Sequence, residues 1–113
     1  MRTTERRRGY RVSIRLEAYF SEDLYEVIGT LANISYSGSL IEDTSMQPEI
    51  GTPCVLYLYL KPPGAFKAVS PFRLSGHVVR HTSTGFAIEH EDNFDPDVRR
   101  MVDDATAILT AQR

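Results

Sequence analysis

A chain of 113 residues with 42% hydrophobic content can bury one core but not two, so a single domain is expected. Its longest apolar run, Cys54 to Leu60, is far too short to cross a bilayer, and no apolar stretch follows the arginine-rich N-terminus, which points to a cytoplasmic protein without membrane insertion. The net charge of −2 hides an asymmetry: residues 1–15 carry six arginines against Glu5, a balance of +5, while residues 16–113 carry seven bases against fourteen acids, a balance of −7. A basic arm therefore leads an acidic body. Such a body repels the long polyanion of a nucleic-acid duplex, but the arm can hold a small anion locally. The single cysteine, Cys54, excludes an internal disulfide framework and a cysteine-based zinc site, and reads as a small buried strand residue in a reducing compartment.

After the arm, Val12, Ile14, Leu16, Ala18 and Phe20 alternate with polar or amphipathic residues, the period of a strand with one buried face. A polar turn is expected at Ser21, Glu22 and Asp23, then a strand from Glu26 to Ile34, loosened at Gly29. Asn33 to Gly38 reads as a turn and Ser39 to Glu42 as a short strand. Beyond Pro48, Gly51 and Pro53, the run Val55 to Leu60 sets Leu56, Leu58 and Leu60 on one face and Val55, Tyr57 and Tyr59 on the other, so both faces need cover, the tyrosine face from a C-terminal helix in preference to a partner subunit. Pro62, Pro63 and Gly64 mark a turn. Phe72 to His81 and Gly85 to Glu91 complete the strands, the latter with Phe86 and Ile88 inward.

A helix is expected at the end of the chain. Asp95 suits the N-cap, Pro96 the first helical position, and Asp97 the positive end of the dipole. Val98, Met101, Val102, Ala105, Ile108 and Leu109 then form one apolar stripe. Short strands followed by one amphipathic helix suggest a small antiparallel barrel, with the helix on its outside or across one end. The expected layout is a basic arm over 1–11, a barrel over 12–94 and a helix of the same domain over 95–113.

Arg6, Arg7, Arg8 and Arg11 are the first candidate site residues. If the arm continues the strand direction, Arg7 and Arg11 share a face roughly 13 Å apart, with Arg8 opposite. Arginine stays charged, makes forked hydrogen bonds to phosphate or to the O6 and N7 edge of guanine, and stacks on flat rings. A guanine nucleotide offers all three targets, whereas a solvated basic tail needs none. The second candidate is Asn33-Ile34-Ser35-Tyr36-Ser37-Gly38, in which Asn33 and Ser35 can meet base edges or phosphate and Gly38 permits positive φ or close approach. Taken by itself it is also an ordinary hairpin turn.

With Arg7-Arg8-Gly9-Tyr10-Arg11 as R-x-x-x-R and Asn33 to Gly38 as (D/N)-x-S-x-x-G, the chain resembles the PilZ domain family, bacterial receptors for cyclic di-GMP. Gly76-His77-Val78-Val79-Arg80 and Gly85-Phe86-Ala87-Ile88 are similar to that family's late strand pair, so the likeness spans nearly the whole chain. The resemblance implies an all-β fold with one helix: a six-stranded antiparallel Greek-key β-barrel with a C-terminal α-helix. It implies cyclic di-GMP as ligand, with Arg7 and Arg11 on phosphate and guanine, Arg8 assisting, and Asn33, Ser35 and Gly38 across the guanine site; Arg6 joins as the remaining member of the arginine cluster. The chain departs from the pattern at Ser37, where many members have a second glycine, and at His90, where the last strand usually carries an aromatic.

Self-repulsion within the arm predicts that anion capture orders it and so presents a new surface to a downstream protein. Two other functions compete: a PilZ-like adaptor that binds proteins without nucleotide, and a nucleic-acid binder, which the acidic body disfavours. A monomer or weak dimer without cofactor is expected. His77 and His81 share a strand face too far apart to chelate one metal, Asp92, Asp95 and Asp97 lack a calcium loop's central glycine, and Ser35 lacks the turn of a nucleophilic serine, so neither a metal nor catalysis is expected.

Overall fold

The computed structural model describes residues 12–58, 72–91 and 95–110. Six strands and one helix follow in order: β1 (Val12–Phe20), β2 (Asp23–Ile34), β3 (Gly38–Glu42), β4 (Pro53–Leu58), β5 (Phe72–His81), β6 (Phe86–His90) and α1 (Pro96–Thr110). The strands close into a barrel in the order β1-β2-β3-β6-β5-β4, every neighbouring pair antiparallel. The chain leaves β3, crosses one barrel end and enters β4 beside β1, the long connection of a Greek key.

Alternation fills the interior. Val12, Ile14, Leu16 and Ala18 of β1 meet Val27 and Leu31 of β2, Ile41 of β3, Leu56 and Leu58 of β4, Leu74 and Val78 of β5, and Phe86 and Ile88 of β6 in one core. Cys54 lies within it, as expected, and burial pushes its thiol up to about 12. Phe20 breaks the expectation: it holds inward parity but is 51% exposed. The cause is length, because β1 and β2 continue past the barrel rim as a hairpin. β2 starts at Asp23 rather than Glu26, paired with Phe20, leaving only Ser21 and Glu22 as the turn. Ser21 takes φ 59°, a left-handed conformation that its sequence does not announce.

Gly29 does not loosen β2; it pairs in register with Ile14. The irregularity falls at Ala32, between the Leu31–Ile41 and Asn33–Leu40 pairs. Tyr57 is not covered by the helix. Instead Arg15 stacks over its ring 4.3 Å from the centroid, Arg73 lies 5.9 Å away, and its hydroxyl donates to Glu17 at 3.0 Å. That bond is the main reason the Glu17 carboxyl sits below its ordinary pKa. Tyr59, Leu60 and the expected turn at Pro62–Gly64 lie outside the described residues.

The two barrel ends are closed differently. α1 begins as expected: the Asp95 carboxylate accepts from the Asp97 and Val98 amides at 2.8 and 3.4 Å. It contacts β2 and β5, which stand opposite each other around the ring, so the helix crosses the barrel mouth. Val98, Met101, Val102 and Ala105 enter the core there, with Ile108 and Leu109 partly buried against it. At the other end the 43–52 loop serves as the lid. Its Gln47 side chain donates to the Thr82 and Gly85 carbonyls at 2.7 and 2.6 Å, Gly51 donates to Val78 at 2.7 Å, and the His81 ring donates to the Pro48 carbonyl at 2.7 Å. No described helix is long and apolar enough to cross a membrane.

Candidate functional site

The Asn33–Gly38 turn joins β2 to β3 at the helix-covered end. It closes on itself: the Ser35 amide donates to the Gly38 carbonyl at 2.8 Å, and the Gly38 amide donates back to the Ser35 hydroxyl at 3.3 Å. Asn33 accepts from the Ile34 amide at 2.8 Å through its side-chain oxygen, which leaves the NH₂ pointing outward as a donor. Gly38 is needed for packing rather than for positive φ. A Cβ there would stand 2.6 Å from the Ile88 carbonyl oxygen of β6, so only glycine lets β3 approach β6 at this point.

Two β-bulges aim the polar groups of the site. In β2 the inward residues are Val27 and Leu31, so uninterrupted alternation would turn Asn33 into the core; the extra residue Ala32 reverses the parity, exposing Asn33 and burying Ile34. In β5 the inward residues are Leu74, Gly76 and Val78, so alternation would bury Arg80; the extra residue Val79 turns it out. The outcome is one register row along the barrel wall through four strands, Asn33 paired with Leu40, Leu40 with Ala87, and Ala87 with Arg80. Three interstrand steps measure about 14 Å along the wall. An apolar floor of Leu40, Ala87 and Val79 thus lies between an amide at one end and a guanidinium at the other.

This row is the floor of a shallow pocket of about 450 Å³, edged by Ser35, Ser37 and Gly38 of the turn and by Glu89. Its volume lies within the range of about 300–1,000 Å³ typical of small-ligand sites. Asn33, Ser35 and Gly38 all border this pocket. Arg6, Arg7, Arg8 and Arg11 lie outside the described residues. Arg80, which was not a candidate from sequence, joins the site. Its signal was obscured because a polar residue at an inward position of a strand looks like a strand end unless the bulge is seen.

The turn is held from two sides. From below, the buried His90 ring bridges the Tyr36 carbonyl, 3.3 Å from Nδ1, and the Ser39 hydroxyl, 2.7 Å from Nε2. A carbonyl can only accept, so Nδ1 carries the proton, and in the neutral ring Nε2 accepts from Ser39. The departure from an aromatic at His90 therefore keeps a flat buried ring while supplying two hydrogen bonds to the turn. From the side, α1 grips Tyr36: its hydroxyl donates to Asp103 at 2.7 Å, and Arg99, one helical turn earlier, stacks 4.3 Å from the ring centroid. The bond to Asp103, with some burial, raises the Tyr36 phenol above its ordinary pKa. His77, by contrast, faces Glu89 and Glu91 at 3.3 and 3.9 Å.

Residues 5–106 match the PilZ domain family. The chain belongs to that family. No curated protein and no solved structure matches it at a significant level. PilZ domains are binding domains, and the family is known for binding cyclic di-GMP. The closed six-stranded barrel with one C-terminal helix is the fold the resemblance implied.

Proposed function

We propose that this PilZ domain is a bacterial, cytoplasmic cyclic di-GMP receptor without catalytic activity, and that it relays ligand capture to a downstream protein. The observation that carries the reading is the row from Asn33 to Arg80. It sets a neutral amide and a permanent cation at the two ends of an apolar strip of Leu40, Ala87 and Val79, beside the Ser35 turn. Arg80 offers a fork that suits guanine O6 and N7 or a phosphate. The Asn33 NH₂ and Ser35 hydroxyl offer donors to phosphate or a base edge. Arg7 and Arg11, with Arg8 and Arg6, would supply the opposing cations from the arm, and ordering of that arm over the ligand is the proposed signal. The domain would act as a monomer or weak dimer.

Calorimetric titration tests this reading. The parent protein binds cyclic di-GMP and discriminates against cyclic di-AMP. Arg7→Ala and Arg80→Ala each weaken binding by about tenfold or more, as expected for loss of a charge-assisted pair worth about 1.5–3 kcal/mol. Absence of binding by the parent chain would overturn the reading and favour the nucleotide-independent adaptor. Binding that survives Arg7→Ala unchanged would place the ligand away from the arm.

A further inference from the structure

The end of the barrel farthest from the Asn33 turn carries a second recess that the cyclic di-GMP reading does not use. There the β1–β2 hairpin projects beyond the rim with apolar side chains on both faces. Phe20 and Tyr25, 51% and 40% exposed, face inward over the 43–52 loop, while Tyr19 and Leu24 face outward. Phe20, Tyr25, Met46 and Pro48 wall a recess of about 300 Å³ floored by Ala18 and Thr52. Met46 and Ile50, both on the loop, add further exposed apolar surface, 40% and 62%. Phe20, Tyr25 and Met46 are thus grouped around one recess rather than scattered singly, the arrangement expected of an interaction site.

The recess is preformed rather than a product of slack. Its loop wall is pinned by the two Gln47 hydrogen bonds and by the His81 bond to Pro48, and its hairpin wall by unbroken β1–β2 pairing out to Phe20 and Asp23. A rigid wall loses little entropy when it is covered.

Charge selects the occupant. Glu22 and Asp23 stand at the hairpin tip and Glu49 on the loop, all exposed. From Leu16 to Leu58, the stretch that supplies the hairpin and the loop, the sequence contains no lysine, arginine or histidine, and the one described ring that reaches the loop from β5, His81, is engaged by the Pro48 carbonyl. An apolar slot with an acidic rim repels an acidic partner and attracts a basic one.

We propose that this recess docks a short segment of a partner protein, with an aromatic or branched aliphatic anchor flanked by lysine or arginine. The anchor fills the space between Phe20, Tyr25 and Met46, and the flanking cations meet Glu22, Asp23 and Glu49. Because the recess and the Asn33 turn lie at opposite barrel ends, segment and nucleotide can be bound together.

Selection of a random dodecapeptide library on the full chain tests the proposal, followed by titration of the enriched peptides. Enriched sequences carry an apolar anchor beside lysine or arginine. Their affinity falls about tenfold on Phe20→Ser, an anchor-pocket loss. It falls again on Glu49→Lys and with added salt, and is unchanged on Arg80→Ala. Should Phe20→Ser fail to fold, Met46→Ser on the exposed loop carries the same comparison. Enrichment of acidic or uncharged peptides, no enrichment at all, or affinity indifferent to these variants would overturn the proposal. So would concentration-dependent self-association abolished by Met46→Ser, which would make a second copy of the chain the occupant.

Discussion

The two ends of the barrel solve one problem, closing the mouth of a small cylinder, with different materials. At one end α1 inserts Met101 and Ala105, both with no exposed surface, into the core, and then uses Arg99 and Asp103 to hold the Tyr36 turn. At the other a loop lies across the mouth on hydrogen bonds to backbone, and the hairpin beside it leaves Phe20 and Tyr25 uncovered. The helix end spends its apolar surface inward and shapes a polar site on the adjoining sheet face. The loop end keeps apolar surface outward. One barrel can therefore offer two unlike surfaces, one suited to a small anionic ligand and one to a basic apolar segment.

The largest expected effect reports whether the loop end is sealed. Cys54 lies beneath it, paired with Ala18, and its thiol is pushed up to about 12 by burial. At pH 8 its thiolate fraction is then about a thousandfold below that of an exposed cysteine. Native protein should accordingly resist a thiol-labelling reagent that modifies the urea-unfolded chain at once. Rapid labelling of the native chain would mean that the loop is no lid.

Next in size is the contrast between two methionines. Met101→Ala empties a fully buried site in the helix plug and is expected to cost about 2–5 kcal/mol, whereas Met46→Ala, on the exposed loop, should stay within about 0.5 kcal/mol. Urea denaturation of the pair measures the difference, and equal effects would refute the plug. Smaller again is His90→Phe, which keeps the ring but orphans the buried Ser39 hydroxyl and frees the Tyr36 carbonyl. It should cost about 1–3 kcal/mol, part of it recovered when Ser39→Ala is added. The smallest effect sharpens the hairpin: Ser21→Gly relieves the left-handed backbone at φ 59° and should raise stability by about 0.5 kcal/mol, seen as a higher urea midpoint with unchanged slope.

Much of this architecture was legible in the residues. The alternation from Val12 to Ala18 gave β1, the stretch from Phe72 to His81 matched β5 at both ends, and Asp95-Pro96-Asp97 marked the start of α1. The N-x-S-x-x-G stretch also located the turn at Asn33 to Gly38. What stayed hidden depends on contacts between strands. The outward aim of Asn33 and Arg80 follows from bulges at Ala32 and Val79, and a bulge is a property of the pairing of two strands, not of either alone. Phe20 obeyed the buried pattern but ran past the rim. Tyr57 found its cover in Arg15 and Arg73 of neighbouring strands, which a helix-first assignment of that face passes over. Tyr36, quoted only as a spacer, became the link from the turn to α1 because Arg99 and Asp103 arrive from more than sixty residues away.

Cyclic di-GMP is proposed to occupy the sheet face between the Asn33 turn and Arg80. Amide chemical-shift mapping of the full chain during titration with cyclic di-GMP tests it most directly. Saturable shifts are expected at Asn33 to Leu40, at Val79 and Arg80, and at Ala87 to Glu89, with Phe20, Tyr25 and Met46 unmoved. Shifts confined to the loop end, or none at saturating ligand, would contradict it.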